Sequence, residues 1–452
     1  MQNHLSKFIE LMQKADLDDL TIQAFSTYYY QILEGASGKL SEKLITQPDK
    51  DKIVQYDHLT KEPFSPLQKL VVIKLNGGLG TSMGLKKAKT LLKVKGELNF
   101  LDIIARQILE LREESEKSIP LLFMHSFNTR TDSLAYLSIY RDLALPHLPL
   151  DFLQNKFPRI RQDDLSPLQN EDDNQNWNPP GHGEIYSVLA SSGVLDKLLE
   201  QGYEYAFISN SDNLGAVVDE KILSYFADRN LPFLMEVCQR TEIDKKGGHL
   251  AQTKEGQLIL RESAQCPDDE TDSFQNIARY GYFNTNNLWV NLKALKHKLF
   301  ETNNLLPLQL ILNSKEVDGI KVYQIESAMG AAISVFKGSK AVLVSRDRFA
   351  PVKKTSDLLA IWSDAYKLTD DYRLILNGRS KPPRISLDER YYGNIEQLQD
   401  HFEYGIPSLR RCNSLQVKAN VYFEKGVEII GDVKIFKDCD LEYCKLHDED
   451  VK

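Results

Sequence analysis

Apolar positions recur with helical spacing near the start of the chain. Leu5, Phe8, Ile9 and Met12 share one face of a 3.6-residue period, with polar residues between them. This predicts helices across residues 1–66, broken by the run EGASGKL at 34–40. From residue 71 the rhythm changes. Short apolar runs alternate with amphipathic stretches: VVIKL then NFLDIIARQILELREE, PLLFMHS then TDSLAYLSIYRDL, EIYSVLASSGVLDKLLEQ then YAFISN, and later FLMEVC. Strands alternating with helices predict an α/β fold whose sheet is mostly parallel and covered on both faces. Such sheets place ligands at the carboxyl ends of their strands. The polar run RQDDLSPLQNEDDNQNWN at 161–178 is expected to be a surface loop.

The last forty or so residues have a different period. Written in sixes from residue 421 they read VYFEKG, VEIIGD, VKIFKD, CDLEYC. Val421, Val427, Val433 and Cys439 share the first column; Phe423, Ile429, Ile435 and Leu441 share the third. Leu415 and Val417 fit the same frame. A hexad of this kind predicts a short β-helix, with a meander of ordinary strands as the alternative. Its open end could pair with another chain, which suggests a homo-oligomer. A chain of 452 residues has room for about three domains. The patterns divide it into an N-terminal helical segment (1–70), a catalytic domain (71–360), a helical connector (361–410) and the β-helix (411–452).

Composition narrows the class. Apolar residues make up 42% and charged residues 27%, as in ordinary globular chains. A net charge of −8 argues against nucleic-acid or membrane-surface binding, though not against a small basic pocket. Five scattered cysteines without CxxC spacing suggest reduced thiols in a cytoplasmic protein. No signal-peptide pattern opens the chain, and no window has the continuous apolar length of a membrane span.

The strongest chemical signal is VVIKLNGGLGTSMGLKKAKTLLKV at 71–94, an apolar run followed by Gly77, Gly78, Gly80 and Gly84 and then Lys86, Lys87 and Lys89. Glycine lets backbone N–H groups approach a ligand, successive N–H groups form an anion-binding concavity, and lysine adds a point charge suited to phosphate. A glycine-rich turn with solvated lysines is the plainer reading. The spacing fits neither the Walker loop nor the G-x-G-x-x-G fingerprint, because Gly84 comes one residue late. Asp212 follows the apolar run YAFISN directly. It reads either as a turn or helix cap, or as a magnesium ligand, since Mg²⁺ needs only one or two carboxylates beside substrate phosphates. No GxSxG or HExxH motif is present.

LNGGLGTSMG with Lys89 five residues on resembles the signature loop of the UDP-glucose pyrophosphorylases, the UTP–glucose-1-phosphate uridylyltransferases. The resemblance continues in order through SFNT, FPRI, PPGHGEIY, SNSDNLGAVVD, KKGGHL, FNTNNLWVNL, KEVDG and RFAPVKKTSDLL, over most of residues 71–360. It implies a Rossmann-like, GT-A-like nucleotidyltransferase core, UTP and a sugar 1-phosphate as substrates, and Mg²⁺ as cofactor. Leu75, Asn76, Gly77 and Gly78 would line the nucleotide, the two glycines also meeting the sugar phosphate. Lys89 would contact the UTP phosphates and Gln154 would read the uracil. Gly181, Asn210 and Ser211 would also contact nucleotide, Asp212 would hold the metal, and His182 would touch the sugar phosphate. Asn286, Gly248 and Glu262 would close on the hexose. Lys353 would neutralise charge at the reacting phosphate.

The chain departs from the pattern in places. Lys87-Ala88 stands where Gly-Pro is usual, Glu184 replaces an Asp, and His125 stands where Asn is common. These put the preferred sugar in question more than the reaction. The same chemistry on another sugar phosphate, a non-catalytic nucleotide-binding scaffold and a dinucleotide-dependent oxidoreductase are the competing readings.

Overall fold

The computed structural model describes residues 3–60 and 66–451; residues 61–65 of the expected N-terminal segment lie outside it. At its centre is an 11-stranded sheet. Its main path comprises β1 (Ile53–Gln55), β2 (Leu70–Asn76), β3 (Leu121–His125), β4 (Asp151–Leu153), β5 (Tyr205–Asn210), β6 (Phe233–Gln239), β7 (Tyr282–Asn291) and β8 (Lys340–Leu343). The spatial order is β1-β8-β6-β7-β5-β2-β3-β4. Every neighbouring pair is parallel except those made by β7, which runs antiparallel to β5 and β6. The alternation read from the sequence therefore gives a mostly parallel sheet.

The apolar run of β2 is continuous because both faces of the strand are covered. Val72 packs into a core shared with helices Phe100–Ser115, Glu220–Asp228 and Thr355–Trp362. Val71, Ile73 and Leu75 face the other core, shared with helices Ile185–Ser191, Val194–Glu200 and Leu292–Glu301. Helix Phe100–Ser115 starts at a reciprocal cap between Asn99 and Asp102, which satisfies two backbone donors at the β-to-α turn.

Helical expectation and structure agree at the N-terminus only through Leu33. Helices Leu5–Lys14 and Asp19–Leu33 join through Phe8, Phe25 and Tyr29, which meet Phe157 and Trp177. Beyond them, Ile45–Thr46 and β1 add to the central sheet. The polar run 161–178 is not simply a surface loop. Leu165, Leu168 and Trp177 are buried, and Trp177–Asn178 pairs with Phe157–Pro158. Leu165 and Trp177 sit beneath the N-terminal helices and Leu168 packs on Val317 and Val322, so average polarity misleads there. Residues 361–410 mix short strands with helices Glu389–Tyr392 and Ile395–His401, because Ile385 and Leu387 pair into the sheet that follows.

At the C-terminus, Ser408–Val417 and Glu428–Ile435 are parallel neighbours, as are Val421–Phe423 and Cys439–Leu441. Leu415 pairs with Val433, Val417 with Ile435, and Val421 with Cys439, so from Ser414 to Phe423 each paired residue lies beside the one 18 positions further on; outside that stretch the offset shifts by a residue or two at bulges. The columns read from the sequence as apolar point inward: Leu415, Val417, Val421, Phe423, Ile429, Val433 and Ile435 are all buried.

Two buried histidines make stability depend on pH. His125 and His249 are fully buried, and burial holds them at about 4 and about 3. Their protonation favours the unfolded chain, where the pKa is near 6.5. The stability they contribute is complete above pH 6.5 and is lost as pH falls toward 4, at about 1.4 kcal/mol per pH unit each. Denaturant midpoints measured from pH 7 to pH 5 should fall steadily, and His249→Gln should flatten the curve.

Candidate active site

Strands β2 and β5 end at the same level, Asn210 beside Leu75, and each releases a loop. The loop after β2 needs glycine where the backbone turns left-handed, at Gly80 (φ +70°) and Gly84 (φ +73°). It closes where Lys89 N–H donates to the Gly78 carbonyl at 3.1 Å. That bond folds Lys89 back over the glycines, and its Nζ meets Asp212 Oδ2 at 2.6 Å. Ser211 N–H donates to the Leu75 carbonyl, fixing the second loop against the first. Lys86 and Lys87 are exposed, so Lys87-Ala88 in place of Gly-Pro leaves the contact of Lys89 intact.

A cavity of about 440 Å³ lies between these loops. Leu75, Asn76, Gly77, Gly78, Lys89, Gln154, Gly181, His182, Asn210, Ser211 and Asp212 all line it. The Asn76 side chain is held behind the wall, donating to Ser133 Oγ and accepting from Thr90 Oγ1. What Asn76 offers the cavity is backbone. Gln154 Nε2 donates to the Gly181 carbonyl at 2.8 Å. Gly181 has φ +81°, and a Cβ there would lie 2.4 Å from the Ser327 carbonyl oxygen.

His182 enters as a neutral donor. Burial, reinforced by the charge of Lys353, holds it at about 4. Met329 N–H donates to its Nδ1 at 2.9 Å, so the ring proton sits on Nε2. Glu184 faces away from this cavity and lines another against helix Asp19–Leu33. Burial pushes its carboxyl up to about 8.

The sugar-side candidates form a second group outside the cavity wall. Asn286 sits in a β7 bulge between the pairs Leu288–Met235 and Asn284–Val237, with φ +58°, exchanging hydrogen bonds with Asn284. The Glu262 carboxylate lies against Gly248, where a Cβ would come within 2.4 Å of it. Burial raises the Glu262 carboxyl, and Lys353 opposes the rise. The Lys353 charge thus reaches both groups. Lys353 is exposed and has no ion-pair partner among the described residues, whereas Lys354 pairs with Glu389 at 2.9 Å. Sequence reasoning missed Thr81 and Ser82, which line the cavity; Ser82 Oγ donates to the Lys353 carbonyl at 3.4 Å. Both lie within the GGLGTS run, so the same glycine signal covers them.

The residues present suit a divalent cation. Asp212 Oδ1 is buried without a hydrogen-bond partner while Oδ2 is held by Lys89, which leaves one oxygen of a strand-end carboxylate free to ligate. No cluster of three or more His, Cys, Asp or Glu ligands occurs among the described residues; Mg²⁺ commonly takes one or two carboxylates and completes its shell with phosphates and water.

The glycine loop and the Lys89–Asp212 pair line this cleft, and among the described residues no hydroxyl or thiol in it is hydrogen-bonded to a histidine. A protein so equipped acts on phosphate by charge and position, as a nucleotidyltransferase does. Comparison with known proteins agrees. The family model described as UTP–glucose-1-phosphate uridylyltransferase matches residues 22–429. A curated relative with that name from Hordeum vulgare is 41% identical over 91% of this chain and 88% of its own. One from Saccharomyces cerevisiae is 38% identical over 96% and 89%. A crystal structure of a point mutant of UDP-glucose pyrophosphorylase from Leishmania major in complex with UDP-glucose superposes with a TM-score of 0.93 at 40% identity, covering 100% of this chain and 99% of that one. The chain belongs to the UTP–glucose-1-phosphate uridylyltransferase family.

Proposed function

We propose that the protein forms UDP-glucose and pyrophosphate from UTP and glucose 1-phosphate. Family membership supports the reaction; the observation that carries the site is the pairing of Lys89 with Asp212 over the glycine loop at the ends of β2 and β5. A phosphate oxygen of the sugar phosphate attacks the α-phosphorus of UTP, the P–O bond to the β-phosphate breaks, and pyrophosphate leaves with that electron pair. The nucleophile is already ionised, so no general base is needed and the work is alignment and charge neutralisation. The backbone of Leu75–Gly78 and the side chain of Gln154 hold the nucleoside. Lys89 draws on the UTP phosphates, His182 donates from Nε2 to a phosphate oxygen, and Lys353 comes from across the cleft to the reacting phosphate. Asn286, Gly248 and Glu262 receive the hexose. Asp212 would hold Mg²⁺, which when bound would supply further neutralisation of phosphate charge.

The core is read as GT-A-like. The 18-residue pairing of the C-terminal strands supports a β-helix, whose free end offers a self-pairing edge for a homo-oligomer. The four sequence units, 1–70, 71–360, 361–410 and 411–452, are kept as the domain reading. Five free cysteines support a reducing, cytoplasmic setting. No described helix is long and apolar enough to cross a membrane.

Pyrophosphate release from UTP and Mg²⁺ with a panel of sugar 1-phosphates tests the reading. Glucose 1-phosphate should be turned over fastest. Release only with another sugar would overturn the specificity, and no release with any sugar would overturn the activity.

A further inference from the structure

Asp212 and Lys353 stand on loops 141 positions apart, yet the backbone ties them together: Val352 N–H donates to the Asp212 carbonyl at 3.2 Å, and Asn213 bridges to Pro351. One side chain occupies the joint. Asn213 is 2% exposed, and its amide is fully engaged. Its Oδ1 accepts from Gly215 N–H and Ala350 N–H; its Nδ2 donates to Asn287 Oδ1 and the Arg348 carbonyl. Both loops and strand β7 therefore meet on this asparagine.

Behind it lies a buried ion pair that none of the proposed chemistry uses. Arg348 donates from Nε and Nη2 to the two oxygens of Glu236, at 2.7 and 2.6 Å, and from Nη2 to the Val217 carbonyl. Glu236 is fully buried and also accepts from Asn287 Nδ2 and Trp289 Nε1. A buried pair is weak evidence of stabilisation, since apolar replacements often fold as well. What a fork-shaped pair does supply is a fixed direction. Here it fixes the loop carrying Lys353 to strand β6, and through Val217 to the loop carrying Asp212. Gly215 packs so closely that a Cβ would lie 2.3 Å from the Asp347 carbonyl oxygen, so the loops have little room to slide.

We propose that Asn213, backed by the Glu236–Arg348 pair, is a positioning residue that sets the distance between Lys353 and Asp212 and so acts on turnover without touching substrate. This rests on the uridylyltransferase reading given above. A displacement near 1 Å can cost about a hundredfold in rate.

The test is a double-mutant cycle with the full-length protein. Asn213→Ala should lower kcat about a hundredfold while KM for glucose 1-phosphate stays within about threefold. In a Lys353→Ala background the same change should cost less than about threefold, because the residue it positions is already gone. Equal losses in both backgrounds would assign Asn213 a general structural role and overturn the proposal, as would a near-normal kcat in Asn213→Ala alone. If Asn213→Ala does not fold, the paired change Glu236→Leu with Arg348→Met takes its place in the cycle, with the same outcomes deciding. Wild-type pyrophosphate release from UTP and glucose 1-phosphate, run alongside, separates failure of this inference from failure of the reading beneath it.

Discussion

Lys353→Ala should lower kcat about a thousandfold and leave the fold untouched. The side chain is exposed and makes no ion pair among the described residues, so its removal breaks no packing and no salt bridge. Its charge nevertheless bears on both His182 and Glu262, and the proposed reading sets it at the reacting phosphate. A cation held there strengthens its hold as charge builds on the reacting phosphorus, so its loss appears in kcat and kcat/KM together. Lys354→Ala is the matched control. That lysine is engaged with Glu389 at the surface, and its variant should run within about twofold of wild type, in line with the small worth of exposed pairs. Steady-state pyrophosphate release on both variants, with thermal midpoints, checks the pair. Similar rates for the two would show that the wrong lysine has been assigned.

Asp212→Asn should have an effect of similar size by a different route. The substitution keeps the shape and removes the charge that faces Lys89 at 2.6 Å. Lys89 is 9% exposed, so its ammonium would be left nearly buried without a counter-charge. Turnover should fall about a thousandfold at saturating UTP, and the midpoint of thermal unfolding should drop by several degrees. On the proposed reading the carboxylate would have two roles, ligand of the ion and partner of Lys89. Raising Mg²⁺ should rescue neither rate nor stability, because the missing ligand charge cannot be supplied from solution. Recovery of near-normal turnover at high Mg²⁺ would show that the ion's main ligands lie elsewhere.

Much of this architecture was legible in the residues. The continuous apolar run at 70–76 marks a strand covered on both faces, and the hexad columns at 415–435 mark side chains that the structure buries. The run of glycines marked a tightly turned loop, and glycine stands where the backbone turns left-handed, at Gly80 and Gly84. Other features were hidden for physical reasons. Trp177 and Leu165 sit in a stretch whose average polarity reads as solvent-exposed, and their burial depends on helices more than a hundred positions earlier. The β7 bulge that turns Asn286 is a mismatch between two strands, so neither strand carries its signature alone. The joint at Asn213 unites groups 74 and 135 positions apart, a distance over which local pattern carries no information. Asn76 shows the converse: the resemblance assigns it to the nucleotide, and only the structure reveals that its amide braces the wall from behind.

The offset between paired C-terminal residues is 18 only from Ser414 to Phe423; it is 20 at Ser408, 19 at Arg411, 17 at Glu428 and 16 at Lys434. The tail thus takes up single residues at the irregularities beside Arg411 and Ser414 and holds a strict register between them and Phe423. Tolerance to length change is therefore expected to be local. One residue inserted between Cys412 and Ser414 should leave the fold standing, whereas one inserted between Leu415 and Val417 should turn inward side chains outward and lower the thermal midpoint.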